Sequence, residues 1–205
     1  ARGNLGVNLH HRRGQHPVTQ LETFEPDGRA IPYVDHQSDG PVLVLLSERG
    51  ADAGGLGTLT SILVDVGFRV VRIGFRAAAD EVAVDDLAQD VLDVIDHVGI
   101  GDTWMGGHAS GGTVARTLAL AHPDRVNGVL LLGVEDVQIP VAHNMPVLVV
   151  QGSEDETTPP ANGLKLQDSA PGLVSVTTFD GAGHFFPATH AGQTAEIIEE
   201  YLDWD

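Results

Sequence analysis

The stretch Gly107-His108-Ala109-Ser110-Gly111-Gly112 decides how the chain is read. It lies between a short strand predicted near Thr103–Gly106 and a helix predicted from Ser110 to Ala121, which His122-Pro123 ends. Glycines crowded at a strand-to-helix junction imply a turn so tight that flanking side chains would collide with neighbouring backbone. Such a turn also presents the unpaired N–H groups of a helix start to whatever sits above it.

Outward from this turn, strands and helices alternate. Upstream, Gln20–Phe24 and Ile31–Asp35 flank Pro26-Asp27-Gly28 and predict an antiparallel hairpin. Val42–Leu46 is an unbroken apolar run, as a strand buried on both faces requires. A helix over Gly55–Val66 ends at Gly67, and a strand follows at Arg69–Ile73. Across Val84–Val98, Leu87, Val91, Val94, Ile95 and Val98 recur at helical spacing, and Asp86, Asp90 and Asp93 are expected on a solvated opposite face. Downstream come strands at Val126–Leu132 and Val147–Gln151, a helix at Ala161–Asp168, a strand at Val174–Phe179 and a helix at Gln193–Leu202. The expectation is an α/β fold: a mostly parallel sheet with an N-terminal antiparallel hairpin, helices on both faces, and chemistry at the carboxyl ends of the strands. Residues 1–17 read as a polar arm and 18–205 as one domain.

Eleven basic residues against 29 acidic ones give a formal net charge of -18. A nucleic-acid partner needs a basic face, so that class is excluded, and an anionic membrane surface is disfavoured. Lys165 is the sole lysine, which fits a compositional bias better than a binding site. Without cysteine, disulfides and thiolate metal sites do not arise. His10, His11 and His16 in the arm have no carboxylate partner close by and read as solvated, so no metal or cofactor is expected. The longest apolar runs are strand-length, too short for a bilayer span. No signal-peptide core is visible, and the expectation is a cytoplasmic protein, with a mature secreted form left open.

With its neighbours, the glycine turn closely resembles the nucleophile elbow of the α/β-hydrolase superfamily, Gly-x-Ser-x-Gly. Val84-Asp85-Asp86-Leu87-Ala88, Gly99-Ile100-Gly101-Asp102 and Ala121-His122-Pro123-Asp124-Arg125-Val126 look like this superfamily too. So do Gly152-Ser153-Glu154-Asp155, resembling its acid-bearing turn, and Gly181-Ala182-Gly183-His184, resembling the turn that carries its base. The resemblance extends over roughly residues 20–202. It implies His184 as general base, Asp155 as the acid that orients it, and a backbone N–H of Ser110 in an oxyanion hole. Glu154 and Glu156 are out of register for the acid. Residue 109, where the superfamily carries its serine, is alanine. Shifting the frame to make Ser110 central would put His108 at a glycine position.

Two further turns depart from the pattern. After Val42–Leu46 the superfamily usually has His-Gly, whereas this chain has Ser47-Glu48-Arg49-Gly50, leaving an N–H near Glu48 or Arg49 as the second oxyanion donor. After Arg69–Ile73, Gly74-Phe75-Arg76-Ala77 replaces Asp-x-Arg-Gly. Only the short loop Gly133–Pro146 stands where many relatives insert a cap, which predicts an open site without a cap domain. Val134, Val137, Ile139, Phe185 and Phe186 are candidates for its apolar wall, or simply pack the loop onto the sheet.

Two classes of function follow. One is a serine-type hydrolase of a carboxylic ester, thioester or related acyl bond, inactivated in this chain by a Ser→Ala substitution at residue 109. The other takes Ala109 as natural: a pseudo-hydrolase that binds a ligand or partner, or a non-hydrolytic catalyst that uses His184 and Asp155 as an acid–base pair. Substrate identity and oligomeric state stay open.

Overall fold

The computed structural model describes residues 19–51 and 55–202. The expected arm at 1–17 lies outside the described residues. The strands are β1 (Glu22–Phe24), β2 (Ile31–His36), β3 (Val42–Leu46), β4 (Arg69–Ile73), β5 (Thr103–His108), β6 (Val126–Leu132), β7 (Val147–Gly152) and β8 (Val174–Phe179). The helices are α1 (Gly57–Asp65), α2 (Val84–His97), α3 (Ser110–Ala121), α4 (Pro160–Ser169), α5 (Phe186–Thr189) and α6 (Ala191–Leu202). One sheet runs in the order β1-β2-β4-β3-β5-β6-β7-β8. β2 is antiparallel to both β1 and β4, and every other pairing is parallel. The hairpin turn at Pro26–Gly28 is tight enough to hold Asp27 at φ 52° and Gly28 at φ 75°.

The unbroken apolar strands have a direct cause in the layering. Along β3, Val44 and Leu46 face a core built with Leu87, Val91 and Val94 of α2 and Val114 and Leu118 of α3. Leu43 and Leu45 face the opposite core, with Leu59 and Leu63 of α1 and Ile198 of α6. Successive side chains of a strand point to opposite faces, so a strand covered on both sides has no position to spare for a polar residue. Each such leucine contributes about 1.5–3 kcal/mol relative to exposure. No cap is inserted between β6 and β7.

One expectation on α2 needs correction. Asp86 is exposed, but Asp90 is buried. Its carboxylate bonds to Arg29 and pairs with Arg76 at 2.9 Å, while Arg29 also reaches Asp93 at 2.7 Å. The turn after β4 therefore supplies, in Arg76, a cation that ties α2 to the end of that strand. A buried carboxylate is tolerable only with such partners. They come from residues distant in sequence, which helical periodicity cannot reveal.

Candidate active site

β5 runs straight into the turn and α3 starts one residue after Ala109, which has φ 49° and ψ −113°. The glycine spacing follows from sterics. A Cβ on Gly107 would lie 2.2 Å from the carbonyl carbon of Gly111, and one on Gly111 would lie 2.4 Å from the carbonyl oxygen of Leu46. Ala109 is pinned at the apex: its N–H donates to the carbonyl of Leu132 at 3.0 Å, and its own carbonyl accepts from the N–H of Thr113 at 3.2 Å. A non-glycine residue in this region costs about 1–3 kcal/mol and persists only where surroundings enforce it. Ala109→Gly is thus expected to raise the unfolding free energy by about 1 kcal/mol, read in urea melts. A loss of stability would mean that the backbone is not strained there.

The turn after β7 carries Asp155, and the turn after β8 carries His184. Gly152 lets these turns touch, since a Cβ there would lie 2.2 Å from the carbonyl oxygen of Ala182. Asp155 is buried, whereas its neighbours Glu154 and Glu156 are exposed. Its Oδ1 accepts the N–H groups of Thr157 and Thr158 at 2.9 and 2.8 Å, and Oδ2 accepts the Thr158 hydroxyl at 2.6 Å. The Nδ1 of His184 stands 3.0 and 3.1 Å from the two carboxylate oxygens. Burial pushes the Asp155 carboxyl upward, but the Thr158 and His184 hydrogen bonds outweigh it and hold it below the ordinary carboxylate value. Asp155 is a fixed anion whose orientation the Thr158 side chain and backbone set.

Beside the elbow lies a side chain whose residue the sequence marks only as a backbone donor. The side chain of Glu48, in the loop after β3, places Oε2 2.8 Å from Nε2 of His184 and 3.6 Å from Nδ1 of His108. His108, at the end of β5, is also buried, and its ring lies 4.5 Å from that of His184 between centroids. Burial disfavours a charged His184 ring, but its bonds to Glu48 and Asp155 prevail and its pKa is raised. Burial, then the proximity of His184, drives the pKa of His108 down. The N–H of Arg49 donates to Oγ of Ser110 at 2.7 Å, so one amide expected in the oxyanion hole is already engaged by the first side chain of α3. The signal available in the sequence was Glu48 itself, a charged residue where the superfamily pattern has glycine; His108 carried none.

The apolar-wall candidates divide. Val134, Val137 and Ile139 line a cavity of about 250 Å³ beside α4, together with Arg116, Asn162 and Leu166. Neither Ala109 nor His184 lines it. Phe185 is exposed, with its ring 5.4 Å from that of His184. Phe186 is no wall residue: it is fully buried in the core under α1 and α6 and packs edge-on against Phe179. It turns inward as the start of α5, a four-residue helix that no periodicity in the sequence marks.

The structure superposes on a protein named as a CIB-like hydrolase from Thermoplasma acidophilum with a TM-score of 0.77, at 16% identity over 90% of this chain and 97% of that one. A carboxylesterase structure from Nitrososphaera gargenis gives 0.78, at 15% identity over 89% and 98% of the two chains. This is the α/β-hydrolase fold. A thermophilic esterase of Thermogutta terrifontis shares the α/β-hydrolase architecture at a TM-score of 0.77 and 16% identity, covering 90% of this chain and 98% of its own. A family model described as alpha/beta hydrolase fold matches residues 68–145, the part of the chain that contains the elbow. In sequence, a Caulobacter segnis protein named as a carbamate hydrolase (RutD) is 42% identical over 50 residues. That match spans 24% of this chain and 19% of the relative's length. Among the described residues, no helix of this α/β-hydrolase-fold chain is long and apolar enough to cross a membrane.

Proposed function

We propose that the site is that of a serine-type acyl hydrolase, acting on a carboxylic ester, thioester or related small-molecule acyl bond, with its nucleophile position held by Ala109. The observation that carries this reading is the Asp155–His184 pair at 3.0 Å, mounted on the turns after β7 and β8 beside an elbow whose apex is residue 109. In the division of labour this implies, His184 takes the proton of an attacking hydroxyl at Nε2. Asp155 fixes the ring and stabilises the imidazolium, and an N–H at the start of α3 faces the developing oxyanion. The esterase names among the structural relatives point to the same chemistry. A methyl group cannot attack a carbonyl. The chain is therefore expected to show no turnover of activated aryl esters such as 4-nitrophenyl acetate above the buffer rate. Steady hydrolysis through an acyl group carried on another residue would overturn the assignment of residue 109.

A second reading has its own observation. Glu48 occupies the ring nitrogen that a serine hydroxyl would need. That arrangement favours a ligand-binding or non-hydrolytic acid–base role for His184, with Ala109 as the native residue of a site that has left acyl transfer.

A further inference from the structure

Glu48, His108 and His184 each offer one ligating atom, and those atoms all lie within 4.8 Å of one another. The hydrogen bonds around them fix which ring nitrogens are available. His108 places Nε2 3.0 Å from the carbonyl oxygen of His184, an acceptor, so Nε2 carries the proton and Nδ1 turns its lone pair to Glu48. His184 gives its Nδ1–H to Asp155, which in the neutral ring leaves the lone pair of Nε2 facing the same carboxylate. With His184 neutral, two lone pairs and an anionic oxygen are drawn together, and a cation must stand among them: the proton that the 2.8 Å bond to Glu48 holds on Nε2, or a metal ion in its place. The ring orientations are already fixed by partners behind them, a carboxylate for one and a backbone carbonyl for the other. That is the outer-shell arrangement of histidines that ligate metals.

We propose that Glu48, His108 and His184 form a two-histidine, one-carboxylate site for a divalent transition-metal ion of the zinc type. The donors suit this class: imidazole nitrogen and carboxylate oxygen favour borderline ions such as Zn²⁺ or Co²⁺ over Mg²⁺ or Ca²⁺, which take oxygen sets. Two ligands on one tetrahedral zinc at about 2.1 Å stand about 3.4 Å apart. Oε2 of Glu48 and Nδ1 of His108 are 3.6 Å apart, whereas the 2.8 Å from the same oxygen to Nε2 of His184 is a hydrogen-bond distance that must open to admit the ion. Glu48 remains partly exposed, which leaves an entry route. The three residues come from the loop after β3, the end of β5 and the turn after β8, with Glu48 and His184 separated by 136 positions. No spacing motif exists for sequence reading to find.

The inference does not rest on the acyl-hydrolase reading, because it is measured without substrate. The test is calorimetric titration of the full chain, freed of metal by chelator, with ZnCl₂, and with CoCl₂ followed by visible absorption. A His10→Ala, His11→Ala, His16→Ala variant removes binding by the N-terminal histidines. One Zn²⁺ per chain is expected to persist in that variant, with a Co²⁺ visible spectrum of a nitrogen–oxygen site. Asp155→Asn is expected to weaken binding roughly 10–100-fold, and Glu48→Gln at least as much. His108→Gln is decisive, since it leaves the Glu48–His184 pair in place; binding that falls with it shows an ion held by all three. Binding confined to the N-terminal histidines, or indifferent to Glu48→Gln and His108→Gln, would overturn the proposal and leave a shared proton as what joins Glu48 to His184. Failure of Ala109→Ser to gain esterase activity would leave these titrations unchanged, so the two readings fail separately.

Discussion

Ala109→Ser is expected to confer esterase activity on the chain, with a gain in kcat that falls short of the roughly 10⁶-fold lost when a triad nucleophile is removed by the share Glu48 withholds. The motive is that base, acid and turn are in place and the hydroxyl is missing. The elbow holds residue 109 at φ 49°, Asp155 and His184 are already hydrogen-bonded, and the start of α3 follows immediately. The measurement is hydrolysis of short-chain 4-nitrophenyl esters across pH. His184 stays charged above its ordinary range, and a protonated ring accepts no proton, so activity should rise with pH through a midpoint above the usual histidine value of 6.5. His184→Ala in the same background is expected to abolish the gain. A folded Ala109→Ser protein that is inert toward both esters and thioesters would remove the hydrolase reading and leave the ligand-binding one.

The second large effect belongs to Glu48. In the Ala109→Ser background its carboxylate competes with the new hydroxyl for Nε2 of His184, which it meets at 2.8 Å. It also brings negative charge to the loop from which the superfamily draws its second oxyanion donor. Replacing it with the glycine of the superfamily pattern, Glu48→Gly, is expected to raise kcat by roughly 10²–10³, the size of one oxyanion-hole contribution. Removing this anion takes away one of the two groups that raise the His184 pKa. The rise of activity with pH should then move to lower pH, with Asp155 as the remaining partner. An unchanged rate and an unchanged profile would show that Glu48 swings clear of the ring in the working protein.

The contrast between Val44 and Glu48, four residues apart, explains what the sequence disclosed. Val42–Leu46 is legible because a strand buried on both faces must be apolar throughout, and the structure buries Val44 and Leu45 on opposite sides. The elbow is equally legible, since Gly107 and Gly111 answer to backbone contacts that forbid a side chain. The turns bearing Asp155 and His184 carry recognisable glycines and fall in the chain order of the superfamily. Glu48 was readable as a departure, but its direction was not, because a loop side chain points where distant partners attract it. His108, between Gly107 and Ala109, has no periodicity to mark it, and it gains meaning only from the ring of His184 beside it. The burial of Asp90 is hidden for the same reason: its place on the polar stripe of α2 is local, whereas Arg29 and Arg76 are not.

The central claim, that residue 109 is a nucleophile position served by His184, is tested most directly by covalent labelling. Ala109→Ser protein treated with a fluorophosphonate should gain the mass of one phosphonyl group, mapped by peptide mass spectrometry to residue 109. The reaction should disappear in the His184→Ala double variant and be absent from the chain with Ala109. A folded Ala109→Ser protein that takes up no label, or takes it up equally well without His184, would contradict the account.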